Sequence, residues 1–141
     1  MKSIQTEIII NASTNKIWNH LTDFANYPNW NTFIVSIEGE LVKGGRLKNT
    51  MITDGKKNFF KPTITVVDPG QYFEWLGKLP LGMFNGRHYF KLEAISPDQT
   101  KLIHGENFSG WLRGIIMHSI GEATRSNFVK MNKELKELAE Q

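Results

Sequence analysis

The chain has no cysteine. That excludes disulfides, thiolate nucleophiles and cysteine-held zinc or iron–sulfur centres. No apolar run approaches the roughly 20 residues of a membrane span. The N-terminal stretch Ile4-Gln5-Thr6-Glu7-Ile8 alternates polar with apolar, whereas a signal peptide needs an unbroken apolar core of about 7–15 residues. A cytoplasmic protein without stable membrane insertion is therefore expected. No phosphate-binding G-x-x-x-x-G-K-[ST], dinucleotide G-x-G-x-x-G or metal-binding H-E-x-x-H spacing occurs, so neither cofactor nor metal is expected. The net charge is +3 and the pI about 9.2, yet basic residues are scattered and mixed with acids, as from Lys130 to Glu140. That is a solvated surface, and no nucleic-acid partner is expected.

What the chain has is ordinary globular composition, with 40% hydrophobic and 22% charged residues over 141 positions. One domain spanning 1–141 is expected, large enough to bury a core without staples. Ser3 to Ala12 alternates and is rich in isoleucine, which predicts a strand. Ser13 is a helix N-cap candidate before Ile17, Trp18 and Leu21, and Asp23 a cap for a second short helix that Pro28 limits. Tyr27, Trp30 and Phe33 crowd that corner.

Six further strands are expected at Ile34–Leu41, Arg46–Thr53, Phe59–Val67, Tyr72–Leu76, Arg87–Ile95 and Thr100–Ser109. Each break carries Gly, Pro or Asp, which supply the angles of tight reversals. The spacing predicts an antiparallel meander, with Pro62 marking an edge, bulge or bend. The period then changes. Met117, Ile120, Thr124, Phe128, Met131, Leu135 and Leu138 recur every three or four residues, with charges between them. An amphipathic helix over Ile115–Ala139 would be about 37 Å long. Only the sheet is broad enough to cover its apolar stripe.

Several motifs carry a family resemblance. Ala12-Ser13 before Ile17-Trp18, then Leu21-Thr22-Asp23-Phe24, Tyr27-Pro28, Trp30-Asn31 and Phe33-Ile34, resemble the opening signature of the START-like superfamily. His88-x-Phe90-x-Leu92 and His104-x-Glu106-x-Phe108-x-Gly110 resemble its bacterial polyketide-cyclase-like branch. Thr32 departs from the signature, since many relatives carry proline there. The resemblance implies an α+β helix-grip fold. A curved, seven-stranded antiparallel sheet would hold the long C-terminal helix, with two short helices between strands 1 and 2 and a deep cavity between sheet and helix. Members include enzymes, carriers and receptors, so the fold does not name an activity.

Strand alternation selects the cavity face. With Lys91, Glu93 and Lys101 pointing to water, His88, Phe90, Leu92, Ala94, Leu102, His104, Glu106 and Phe108 point inward. A turn near Pro97-Asp98 would set Leu92 opposite His104, Phe90 opposite Glu106, and His88 diagonal to Glu106. Such a cluster is a satisfied core network, a ligand contact or an acid–base site. Candidate ligand contacts are Trp75, Phe73, Phe90, Leu92, Phe108 and Trp30 with Met117, Thr124, Phe128 and Met131 of the helix stripe. Two functions follow: binding or carriage of a hydrophobic small molecule, lipid-like or aromatic, or cyclase/dehydratase-type chemistry by Glu106 with His104 and His88.

Overall fold

The computed structural model describes residues 2–141. Strand β1 (Ser3–Ile10) leads into helix α1 (Thr14–Thr22) and a 3₁₀ helix over Phe24–Asn29. Ser13 caps α1, its hydroxyl accepting from the Lys16 N–H at 3.2 Å. Asp23 makes no such side-chain bond, because its backbone (φ −79°, ψ 75°) lacks the extended geometry of a capping residue. Seven strands and a long helix follow: β2 (Ile34–Glu38), β3 (Lys48–Thr53), β4 (Lys56–Phe60), β5 (Thr63–Asp68), β6 (Tyr72–Lys78), β7 (Asn85–Ser96), β8 (Gln99–Ser109) and α2 (Arg113–Ala139).

The strands form two antiparallel sheets, five strands in the order β1-β8-β7-β6-β5 and three in the order β2-β3-β4. This corrects the expected seven-stranded sheet, and Pro62 is the reason. It has no N–H for the ladder, so the segment read as one strand from Phe59 to Val67 breaks into β4 and β5. β4 also starts early. Asp54 and Gly55, with φ of 51° and 74°, make the tight two-residue turn that folds β4 back on β3. The sheets are stitched at one point. Leu47 N–H donates to the Pro62 carbonyl at 2.9 Å, and Ile64 N–H to the Gly45 carbonyl at 2.8 Å.

The apolar stripe of α2 divides in two. Phe128, Met131, Leu135 and Ala139 are buried against β1, β8 and α1, whereas Ile115 and Ile120 are exposed. Polar clamps hold the buried half. Lys136 Nζ donates to the Ile9 carbonyl at 2.9 Å, and the Asn11 N–H donates to the Glu140 carboxylate at 2.8 Å. Thr32 donates to Glu134 from both N–H (3.1 Å) and hydroxyl (2.7 Å). Proline at that position would lose both bonds. Among the described residues, no helix is long and apolar enough to cross a membrane.

This placement predicts an asymmetric response to truncation. Leu135→Ala should cost about 2–5 kcal/mol of stability by leaving a core void. Val129→Ala, on the exposed face, should stay within about 0.5 kcal/mol. Equal losses in urea denaturation would contradict the placement.

Candidate functional site

Strands β7 and β8 carry the chemistry, and their register differs from the expected one. His88 lies directly across from Glu106, and Phe90 from His104. The ladder is offset by two residues from the expected one, by one residue because the turn holds only Pro97 and Asp98 between Ser96 and Gln99, and by another because of a bulge. Ser96 pairs with Gln99 but Ala94 pairs with Thr100, so β7 holds one extra residue at Ile95. Ala94, expected inward, is exposed beside this bulge. The other inward residues keep the expected face. His88, Phe90, Leu92, Leu102, His104 and Phe108 are buried, and Glu106 is half-buried.

The two imidazoles meet nitrogen to nitrogen, His88 Nε2 to His104 Nε2 at 2.8 Å. Aromatic rings jacket them. Phe128 stacks on His104 (centroids 4.1 Å apart, planes at 12°), and Trp75 lies 4.9 Å from His88. Burial in this apolar shell disfavours charge. It lowers His88 well below its ordinary 6.5, with His104 adding to the effect. It also holds His104 down at about 3, against the opposing hydrogen bond that His104 donates to Asn132. Behind His104 the polar contacts continue. His104 Nδ1 lies 2.8 Å from Asn132 Oδ1, Asn132 Nδ2 donates to Thr6 Oγ1 at 2.9 Å, and the Thr6 hydroxyl donates to the His104 carbonyl at 2.8 Å.

On the other side of His88 a cavity of about 270 Å³ opens between the sheets and α2. Trp75, Gly77, Gly86, His88, Glu106 and Phe108 form its floor. Phe33, Met51, Thr53, Asn58, Phe60 and Pro62 wall it on the side of the small sheet, and Phe84, Ile120, Thr124 and Phe128 on the other. Among the described residues, no lysine or arginine lines it. A larger groove of about 690 Å³ runs outside along Lys78, Leu79, Leu81 and Arg87, but it is open to solvent and has no buried titratable group.

Glu106 is the one carboxyl in the cavity lining. It sits 3.7 Å from His88 Nδ1, beyond hydrogen-bond range. Burial pushes its pKa up to about 8. At neutral pH the contact is thus between a carboxylic acid and a neutral imidazole, not an ion pair. Gly86 makes room for it, since a Cβ at residue 86 would overlap Glu106 Oε2.

Of the thirteen residues expected at the site, Glu106, His88, Trp75, Phe108, Thr124 and Phe128 line the cavity. His104 stands behind His88. Phe73, Phe90, Leu92, Met117 and Met131 are packed in the core beneath or beside it. Trp30 packs against Tyr27 at 4.9 Å, away from the lining. The small sheet's contributions were not expected, nor were Thr6 and Asn132. Both polar residues carried a signal. Thr6 shares the inward parity of Ile4 and Ile8, and Asn132 interrupts the stripe four residues after Phe128.

A long helix laid over an antiparallel sheet, with a cavity between them, defines the START-like helix-grip class. Residues 1–140 match the family model described as polyketide cyclase / dehydrase and lipid transport, and the chain belongs to that family. Its fold resembles an aromatase/cyclase from a Streptomyces species (TM-score 0.81, 13% identity, covering 99% of this chain and 93% of that one). It also resembles a hypothetical protein from Helicobacter pylori (TM-score 0.79, 15% identity, 97% and 87% covered). A norcoclaurine synthase point mutant from Thalictrum flavum, solved with a transition-state analogue, is similar too (TM-score 0.73, 14% identity, 98% and 93% covered). At these identities the likeness is one of fold. No curated protein matches the sequence.

The titrations give a stability profile with a defined sign. Glu106 holds its proton in the folded state between pH 4.5 and about 8, where the unfolded chain has released it. Its contribution is full below 4.5 and is lost as pH rises through about 8. His88 and His104 stay neutral where the unfolded chain takes up protons, so their contribution is lost as pH falls below 6.5. Between 4.5 and 6.5 the two histidines outweigh the one carboxyl, which sets a maximum near 6.5 for these groups. Glu106→Gln should remove the fall in melting temperature above the maximum in scanning calorimetry. A fall of unchanged slope would show that another group causes it.

Proposed function

We propose that this protein binds a compact hydrophobic small molecule in the cavity between the sheets and α2. The observation that carries the reading is an apolar, aromatic-walled space into which one carboxyl points without a hydrogen bond from the described residues. A satisfied core network would leave neither the space nor the orphan carboxyl. The volume lies just under the roughly 300–1,000 Å³ usual for ligand pockets. Filled at interior density it takes about ten to fifteen non-hydrogen atoms. That suits one or two fused rings better than a long acyl chain or a sterol. Two proteins of similar fold are described as an aromatase/cyclase and a norcoclaurine synthase, and the latter holds a transition-state analogue.

A second reading rests on Glu106 and His88 standing side by side in the cavity. An acid that holds its proton at neutral pH beside an imidazole lone pair is suited to moving protons around an enolisable ketone. Glu106 and His88 would touch the substrate, and His104 would act through His88. The two readings separate in Glu106→Gln, which should abolish turnover while leaving guest binding within about threefold if the site is catalytic.

Gly77 provides the test of location. It shares the inward parity of Trp75, lines the cavity, and a Cβ there would meet nothing within 4 Å. Gly77→Leu should fill the space with no loss of melting temperature. Calorimetric affinity for neutral one- and two-ring aromatics should drop at least about tenfold. Unchanged affinity would move the guest elsewhere, and no binding to the wild-type protein would end the reading.

A further inference from the structure

The hydrogen-bonded chain behind the cavity has a fixed direction. The carbonyl of His104 can only accept, so the Thr6 hydroxyl gives it its hydrogen. The Thr6 oxygen is then left to accept, and it accepts from Asn132 Nδ2. The Asn132 amide therefore turns Oδ1 toward His104, whose Nδ1 must carry the proton. A neutral His104 protonated on Nδ1 presents a lone pair at Nε2. His88, facing it at 2.8 Å, must donate from its own Nε2. That leaves a bare lone pair at His88 Nδ1, 3.7 Å from the Glu106 carboxyl.

We propose that the cavity selects a non-anionic guest through one hydroxyl oxygen seated between His88 Nδ1 and Glu106, with Thr6 and Asn132 as positioning residues that hold His88 in the tautomer this seat needs. The proposal rests on the ligand-binding reading above and names the guest's polar group. A gap of 3.7 Å is too wide for a direct hydrogen bond. An oxygen between the two groups can lie about 2.8 Å from each. A hydroxyl satisfies both, donating to the imidazole lone pair and accepting the hydrogen of the carboxylic acid. A ketone or ether can accept from Glu106 but leaves His88 Nδ1 unpaired. A carboxylate finds no cation in the lining and meets an acid that would repel it once ionised.

Four probes of matched shape test the seat in titration calorimetry at pH 7: 2-naphthol, 2-methoxynaphthalene, naphthalene and 2-naphthoate. The hydroxyl probe should bind at least about tenfold more tightly than the ether and the hydrocarbon, the gain expected of two modest hydrogen bonds. The carboxylate should be the weakest. Four equal affinities, or a preference for the carboxylate, would refute the seat while leaving the cavity reading intact. No binding by any probe would remove the cavity reading itself.

Nitrogen-15 spectra of histidine-labelled protein test the positioning separately and need no guest. In the wild type, His104 should be protonated on Nδ1 and His88 on Nε2. Thr6→Val removes the end of the chain, so the Asn132 amide can turn over and reverse every donor. His88 should then move its proton to Nδ1, and the preference for 2-naphthol over naphthalene should shrink to about twofold or less. Thr6→Ser keeps the hydroxyl and should restore both. A wild-type His88 protonated on Nδ1 would overturn the proposal whether or not the variants fold.

Discussion

Two buried imidazoles that share one hydrogen, His88 and His104, set the terms for everything around them. Held 2.8 Å apart under Phe128 and Trp75, they cannot both be charged, and the apolar shell keeps both neutral. One must then donate and the other accept. An arrangement so dependent on direction needs an anchor, and the anchor is the β1 backbone side of the sheet. Thr6 sits across from His104 in the β1–β8 ladder and returns its hydroxyl to that residue's own carbonyl. Helix α2 supplies the link through Asn132. The helix and the sheet are thus joined by a polar contact at the place where greasy packing alone would leave the rotation of α2 loosely specified.

Much of the architecture can be read from residue order. Alternation in β1, β7 and β8 assigns the buried face, and the three-to-four spacing of α2 gives the helix that covers it. The errors arise where one residue changes the geometry over a distance. The two-residue Pro97-Asp98 turn and the bulge at Ile95 each shift the β7–β8 ladder by one residue, and together they move Glu106 from a diagonal to a facing position relative to His88. No local preference marks Ile95 as a bulge. Pro62 was visible as a disturbance, but its outcome, a second sheet, depends on Leu47 and Ile64 finding partners across the break.

The site was legible in part for a related reason. His88, His104 and Glu106 are titratable and share a parity, so sequence singles them out. Which aromatics line the cavity and which pack below it depends on depth, and period does not encode depth. Phe73 and Phe90 have the same parity as Trp75 and His88, yet only the latter pair reaches the open space. The missing partners came from strands read as remote. Met51 and Phe60 reach the cavity because the small sheet folds over it, a tertiary fact with no local signature.

The emptiness itself is the strongest argument about use. Two glycines, Gly77 and Gly86, face each other across β6 and β7 at positions whose parity points inward. An ordinary apolar side chain at Gly77 would close the space, whereas at Gly86 it would strike Glu106. Left dry and closed, a void of 270 Å³ would cost about 6 kcal/mol at the rate measured for engineered core cavities. That is comparable to the whole stability of a small domain, about 5–15 kcal/mol. The cavity is partly open to solvent, which lowers this penalty. A chain that omits a side chain at Gly77 and points a protonated carboxyl into the gap has the shape of a receptor for something that completes the packing. The same neutrality that keeps the two histidines buried then dictates what can enter, because an anionic guest would find no counter-ion among the described residues of those walls.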